Sequence, residues 1–110
     1  MSINTSFIIP HKGREDMLIE TLTSIAELET PKEQYEVILV SQNKEISKAL
    51  SAFIETVNLR VVYNDENNTI SHSRNLGAGL AAGKYLAFLD ADVSLASNWL
   101  NVMVDTLNTR

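Results

Sequence analysis

The sequence predicts an α/β fold, an open and mostly parallel sheet with helices on both faces, and three observations carry that prediction. Four short runs are β-branched and almost continuously apolar. Each is followed by a stretch whose apolar residues recur every three or four positions. The composition, 45% hydrophobic and 21% charged, is that of a chain with a packed core rather than a disordered one. Strands alternating with helices join through right-handed crossovers, which make a parallel, Rossmann-like sheet. A length of 110 residues suits one compact domain over 1–110 and leaves no room for a second.

The elements follow in order. Residues 6–10 (SFIIP) and 35–41 (YEVILVS) read as strands buried on both faces, and residues 59–63 (LRVVY) and 85–90 (YLAFLD) repeat the pattern. Between the first two, residues 15–28 place Leu18, Leu22, Ile25 and Leu28 on one helical stripe that stops before the Pro31 turn. Residues 46–57 form a second amphipathic stretch and 71–82 a third. A fourth spans 98–107, with Ser97 as its N-cap and Trp99, Leu100, Val104 and Leu107 toward the core. Gly77 and Gly79 are expected to be close-packing positions and Gly83 the C-cap of the third helix. In such a sheet the ligand sits outside the carboxyl ends of the strands, so function is sought in the loops after Pro10, Val40 and Leu89.

Composition removes several classes of chemistry. A net charge of -5 argues against sequence-independent binding of nucleic acid, which requires many Lys and Arg to neutralise phosphates. With no cysteine there is no disulfide, thiolate zinc site or cysteine nucleophile. No apolar run approaches the roughly 18 to 20 residues that span a bilayer, and residues 1–7 lack the pattern of a secretion signal. The expectation is a cytoplasmic domain, or one held at the cytoplasmic face of a membrane by the rest of a longer chain. The sequons at Asn4 and Asn67 are then chance matches.

The strongest local signal is Asp90-Ala91-Asp92, which directly follows a buried run. Two carboxylates one residue apart on an extended backbone project to the same side and can share one cation. Hard oxygen donors at a strand end suit Mg²⁺ or Mn²⁺, which usually keep waters and phosphate oxygens in their coordination shell. The tripeptide alone is more often a solvated turn.

Its context is more specific. Residues 73–92, SRNLGAGLAAGKYLAFLDAD, closely resemble a stretch of the family 2 glycosyltransferases. There an Arg-Asn-x-Gly is followed by a small-residue helix, Gly-x-Tyr, an apolar strand and a metal-binding Asp-x-Asp. The matching positions are Arg74, Asn75, Gly77, Gly83, Tyr85, Phe88, Leu89, Asp90 and Asp92. Residues 7–16 (FIIPHKGRED) resemble the family's first strand and the loop over the nucleotide base, and residues 35–40 resemble its second strand. The resemblance implies a GT-A fold that binds a nucleoside-diphosphate sugar across the strand ends, with Mn²⁺ or Mg²⁺ bridging carboxylates and diphosphate. It implies nucleotide-sugar contacts from Pro10, His11, Lys12, Arg14, Ser41, Arg74 and Asp90, and metal contacts from Asp90 and Asp92. Arg74, placed at the start of a helix, would lie near the diphosphate or pair with a neighbouring carboxylate.

Two departures from the family pattern stand out. Where the family carries Asp-Asp-Gly-Ser after its second strand, this chain has Ser41-Gln42-Asn43-Lys44, so a base would meet a hydroxyl and an amide instead of a carboxylate. Family members also continue well beyond Asp-x-Asp into a half that binds the acceptor and supplies a general base, and Asp105 falls on a helix away from the strand ends. The chain is therefore expected to be a fragment, whose exposed apolar surface would bind the missing half or drive self-association. The alternatives are a non-catalytic nucleotide-binding or interaction module of the same fold and a nucleotidyltransferase. The last lacks its glycine-rich phosphate loop in residues 10–14. The glycines at 77, 79 and 83 follow no strand, so they make no dinucleotide fingerprint, and His11 and His72 have no partner at zinc-ligand spacing.

Overall fold

The structure, a computed structural model, describes residues 3–108. Its four strands are β1 (Thr5–His11), β2 (Tyr35–Ser41), β3 (Leu59–Tyr63) and β4 (Tyr85–Phe88). They form one parallel sheet in the order β3-β2-β1-β4. β1 and β2 are central and buried along their whole length, as continuous apolar runs of a parallel sheet must be. The other two are edges and depart from that expectation. Arg60 and Tyr63 on β3, and Leu86 and Phe88 on β4, are exposed.

Among the described residues five α-helices cover the two faces: α1 (Asp16–Ala26), α2 (Lys48–Ser51), α3 (Phe53–Thr56), α4 (Ile70–Leu80) and α5 (Trp99–Asn108). Strand residues alternate in direction, so Phe7, Ile9, Val37, Leu39, Leu59 and Ala87 share one face. They form one core with Leu18, Leu22 and Ile25 of α1, Leu50 of α2 and Leu100 of α5. The Phe7 ring meets Tyr35 edge-on at 5.7 Å and Trp99 at 5.9 Å. On the opposite face α4 packs against β1 and β2. Gly77 permits that approach, because a Cβ there would lie 2.6 Å from Cγ2 of Ile8 and 3.1 Å from Cγ2 of Val40.

Several local expectations are corrected. Residues 46–57 form two short helices rather than one. Ser47 caps the first by accepting the Leu50 N–H, and the chain turns again at Ala52. α4 ends at Leu80, so Gly83 is not its C-cap. Gly83 instead lies against β1, where an added Cβ would fall 2.6 Å from the Ser6 nitrogen. Gly79 is not a packing position, since a Cβ there meets nothing within 4 Å. The first turn of α5 closes from the Val102 N–H to the Asn98 carbonyl, which gives the cap position to Asn98 rather than Ser97. Leu107 is exposed, while Leu100 is buried and Trp99 and Val104 pack on the core. No helix among the described residues is long and apolar enough to cross a membrane.

Candidate functional site

The strand order decides where a ligand can sit. From β1 the chain moves outward through β2 to β3, then returns to place β4 on the other side of β1. The carboxyl ends of β1 and β4 lie side by side where the strand order reverses, and they open a crevice. A cleft of about 360 Å³ lies there, lined by Pro10, His11, Lys12, Arg14, Met17, Gln42, Ile70, Asp90, Ala91 and Asp92. Its volume is that of a small-molecule site.

The loop after β1 is held open in a defined shape. Gly13 has a φ of 98°, a conformation that side chains other than glycine's rarely tolerate. Its N–H donates to Asn43 Oδ1 at 2.9 Å and its carbonyl accepts from Asn43 Nδ2 at 2.8 Å. His11 Nε2 lies 2.5 Å from the Arg14 carbonyl, and Lys12 Nζ donates to the Glu66 carbonyl at 2.7 Å. Arg14 pairs with Asp16 at 2.8 Å. The Arg14 hydrogen bond is the main reason that the Asp16 carboxyl sits below the ordinary carboxylate range, helped by the backbone and by the guanidinium charge.

The two carboxylates meet the cleft from a turn. β4 ends at Phe88, the ladder closes with the Leu89 N–H on the Ile8 carbonyl, and the Val93 N–H bonds to the Asp90 carbonyl at 3.3 Å. The expectation of an extended backbone through Asp90 and Asp92 is thus corrected, yet both residues line the same cleft. Among the described residues no cluster of three or more His, Asp or Glu stands ready to hold a metal. A cation here would take two protein carboxylates at most and fill its remaining positions with water or ligand oxygens. That donor set fits Mg²⁺ or Mn²⁺, which accept such incomplete protein shells.

Arg74 is not at the start of its helix but in the second turn of α4, which begins at Ile70 with Thr69 accepting the His72 N–H. Its Nη2 lies 3.5 Å from Asp90 Oδ1, but the residue does not line the cleft; it lines a separate hollow with Ser71, Asn75 and Phe88. Ser41 is 1% exposed, accepts the Asn43 N–H on its Oγ, and does not line the cleft. Its neighbour Gln42 does, as do Met17 and Ile70, two apolar residues that sequence reasoning passed over. Met17 precedes the Leu18 stripe by one position and Ile70 opens α4, so both point off the core, an offset that periodicity could have revealed. Asp105 lines a separate hollow with Asn4, Gln34 and Thr30, at the end where the strands begin.

Residues 6–110 match the family model described as glycosyl transferase family 2. The glycosyltransferase AglE of Haloferax volcanii is 32% identical over 108 residues, an alignment that covers 94% of this chain and 35% of that protein. Among solved structures, S. aureus TarS 1-349 in complex with UDP-GlcNAc superposes with a TM-score of 0.81 at 23% identity, over 97% of this chain and 32% of that one. Mannosyltransferase PcManGT of Pyrobaculum calidifontis, in complex with GDP-Man and Mn2+, gives a TM-score of 0.73 at 22% identity, over 88% of this chain and 30% of that one. The chain thus spans about a third of the length of these proteins, and the structural likeness establishes a shared GT-A fold.

Proposed function

The chain belongs to glycosyl transferase family 2, and from that membership we propose that it is the donor-binding part of an enzyme that moves a sugar from a nucleoside diphosphate to a hydroxyl acceptor. One observation carries the reading. Residues from distant parts of the chain, Pro10, His11, Lys12, Arg14, Gln42, Ile70 and Asp90 to Asp92, line a single cleft at the point where the strand order reverses. That two of the solved relatives were crystallised with sugar nucleotides supports the same use of it.

The chain's own groups suit a diphosphate end and a base end. Asp90 and Asp92 would hold a divalent cation, and Arg74, beside Asp90, would both orient that carboxylate and offer its guanidinium to phosphate oxygens. The amino end of α4 reaches the cleft at Ile70, and its free N–H groups favour an anion. A bound cation would supply Lewis-acid stabilisation of the charge that builds on the departing diphosphate. The loop 11–14, fixed by Asn43, would lie over the nucleoside and exclude water from it. Binding of the acceptor and removal of its proton would fall to groups other than those lining this cleft.

The test is thermal unfolding and calorimetry with UDP, GDP and dTDP, with and without MnCl₂. At a hundredfold excess over Kd a nucleotide should stabilise the fold by about 2.7 kcal/mol, only with metal present, and Asp92→Ala should abolish the response. No response to any nucleotide would overturn the reading. Binding without any need for metal would favour a second reading, a non-catalytic nucleotide-binding module. The observation on its side is the Ser41 and Gln42 pair where the family places two acids.

A further inference from the structure

One wall of the cleft comes from a single short stretch, Pro10, His11, Lys12, Arg14 and Met17. From Lys12 to Arg14 that stretch is exposed. An exposed loop that passes through a glycine at a φ of 98° has little of its own to keep it in one shape. Two ties to the loop after β2 supply what it lacks. Asn43 meets the Gly13 peptide with both ends of its amide, accepting from the N–H at 2.9 Å and donating to the carbonyl at 2.8 Å. Two residues on, the Glu15 carboxylate accepts the Ser47 N–H on Oε2 at 3.1 Å and the Ser47 hydroxyl on Oε1. Each tie has two bonds, so each fixes an orientation as well as a separation.

The second tie is anchored at both ends. Glu15 is the N-cap residue of α1 and Ser47 that of α2, and these helices bury Leu18, Leu22 and Leu50 in one core. The Glu15 side chain caps nothing in its own helix; its carboxylate serves the neighbouring loop instead. Asn43, Glu15 and Ser47 do not line the cleft. Their bonds are exposed, and a bond that water can replace adds little to global stability. Restricting the loop is what remains for them to do. The first tie also belongs to this chain rather than to the family pattern, because the family's Asp-Asp-Gly-Ser puts a glycine where Asn43 stands, and a glycine has no amide to offer.

We propose that Asn43 and Glu15 are positioning residues, which bolt the loop after β1 to the loop after β2 and hold His11, Lys12 and Arg14 in their binding arrangement before a nucleotide arrives. A ligand that must first select one loop shape loses affinity by the fraction of molecules that have it. Cutting a tie therefore weakens binding while the fold stays almost as stable. The inference rests on the donor-site reading above.

The experiment uses the whole chain with UDP and GDP in MnCl₂, and reads the calorimetric Kd, the thermal midpoint and, without ligand, the NMR exchange rate of the Gly13 amide. Asn43→Gly and Glu15→Ala should each weaken binding about tenfold and lower the midpoint by no more than about 4 °C, and Asn43→Gly should speed Gly13 exchange. Glu15→Gln should bind as the unaltered chain does, since its amide still accepts the Ser47 N–H and can donate to the Ser47 oxygen. Charge alone predicts otherwise, because loss of a carboxylate favours an anionic nucleotide in both Glu15 variants alike. Unchanged affinity in Asn43→Gly and Glu15→Ala, a midpoint that falls in step with affinity, or a Gly13 amide that exchanges as fast as a free peptide in the unaltered chain would overturn this inference and leave the donor site standing. Failure of both nucleotides to bind the unaltered chain would overturn both.

Discussion

The two ends of the sheet are built on opposite principles. Where the strands begin, polar groups are buried and tied to one another. Ser6 donates to Glu36 at 2.6 Å, the Ala82 N–H donates to the same carboxylate oxygen at 2.7 Å, and the Gly83 N–H donates to Ser6 Oγ at 2.8 Å. This cluster clamps the connection between α4 and β4 onto β1 and β2. Where the strands finish, Arg14, Asp16 and Asp90 are exposed, and each is held by at most one charged neighbour. Buried polar groups must be satisfied within the fold, whereas exposed ones are left to water or a ligand. The base of the sheet is therefore where stability should be sensitive, and the rim is where binding should be.

Substitutions at the base should have the largest effects. Glu36→Ala strands the buried Ser6 hydroxyl without its acceptor and frees the part-buried Ala82 N–H, so urea unfolding should register a loss of about 2 kcal/mol. Glu36→Gln, which retains an acceptor, should lose much less. An equal loss from both would mean that the clamp acts through shape and not through hydrogen bonds. Gly83→Ala comes next, with a similar loss of about 2 kcal/mol, because its methyl would meet the Ser6 and Thr5 backbone, which cannot swing aside as a side chain can. A variant of unchanged stability would show that the 81–84 connection is free to move.

The base also has one flaw, which predicts a gain. Thr5 Oγ1 is buried without a hydrogen-bond partner, so Thr5→Val should raise stability by about 1 kcal/mol in the same assay. Destabilisation would point to a water bridging that hydroxyl. The smallest effect belongs to the rim. Arg14→Ala removes the largest of the causes that lower the Asp16 carboxyl and leaves the backbone one, so the Asp16 titration followed by NMR should move up toward the ordinary carboxylate range. A lowered carboxyl supports the fold above that range and loses the support as pH falls through its own pKa. Both partners are mostly exposed, so the thermal midpoint at neutral pH should stay where it was. A falling midpoint would make the rim structural after all.

Much of this architecture could be read from near neighbours in the chain. Continuous β-branched runs marked the two central strands, and the three-and-four spacing of Leu18, Leu22 and Ile25 marked the buried stripe of α1, because each pattern is set by the local period of the backbone. The Asp90 and Asp92 pair and the cluster of positions from Arg74 to Asp92 were visible in the same way. Edge strands were not, since Leu86 and Phe88 look as apolar as Ile8 and Ile38 until the strand order is known.

By itself, then, the sequence determined the element types, the family and the neighbourhood of the cleft. The tertiary structure alone decided that Gly83 serves β1 rather than a helix end, that Ser41 lies off the cleft while Gln42 lines it, and that the Gln42 amide is held by the 65–68 loop. The reason is one of range. A helix or strand is specified by residues a few positions apart, but the direction of a Gln42 hydrogen bond depends on carbonyls at Asp65 and Asn68, brought beside it only when β2 and β3 pair.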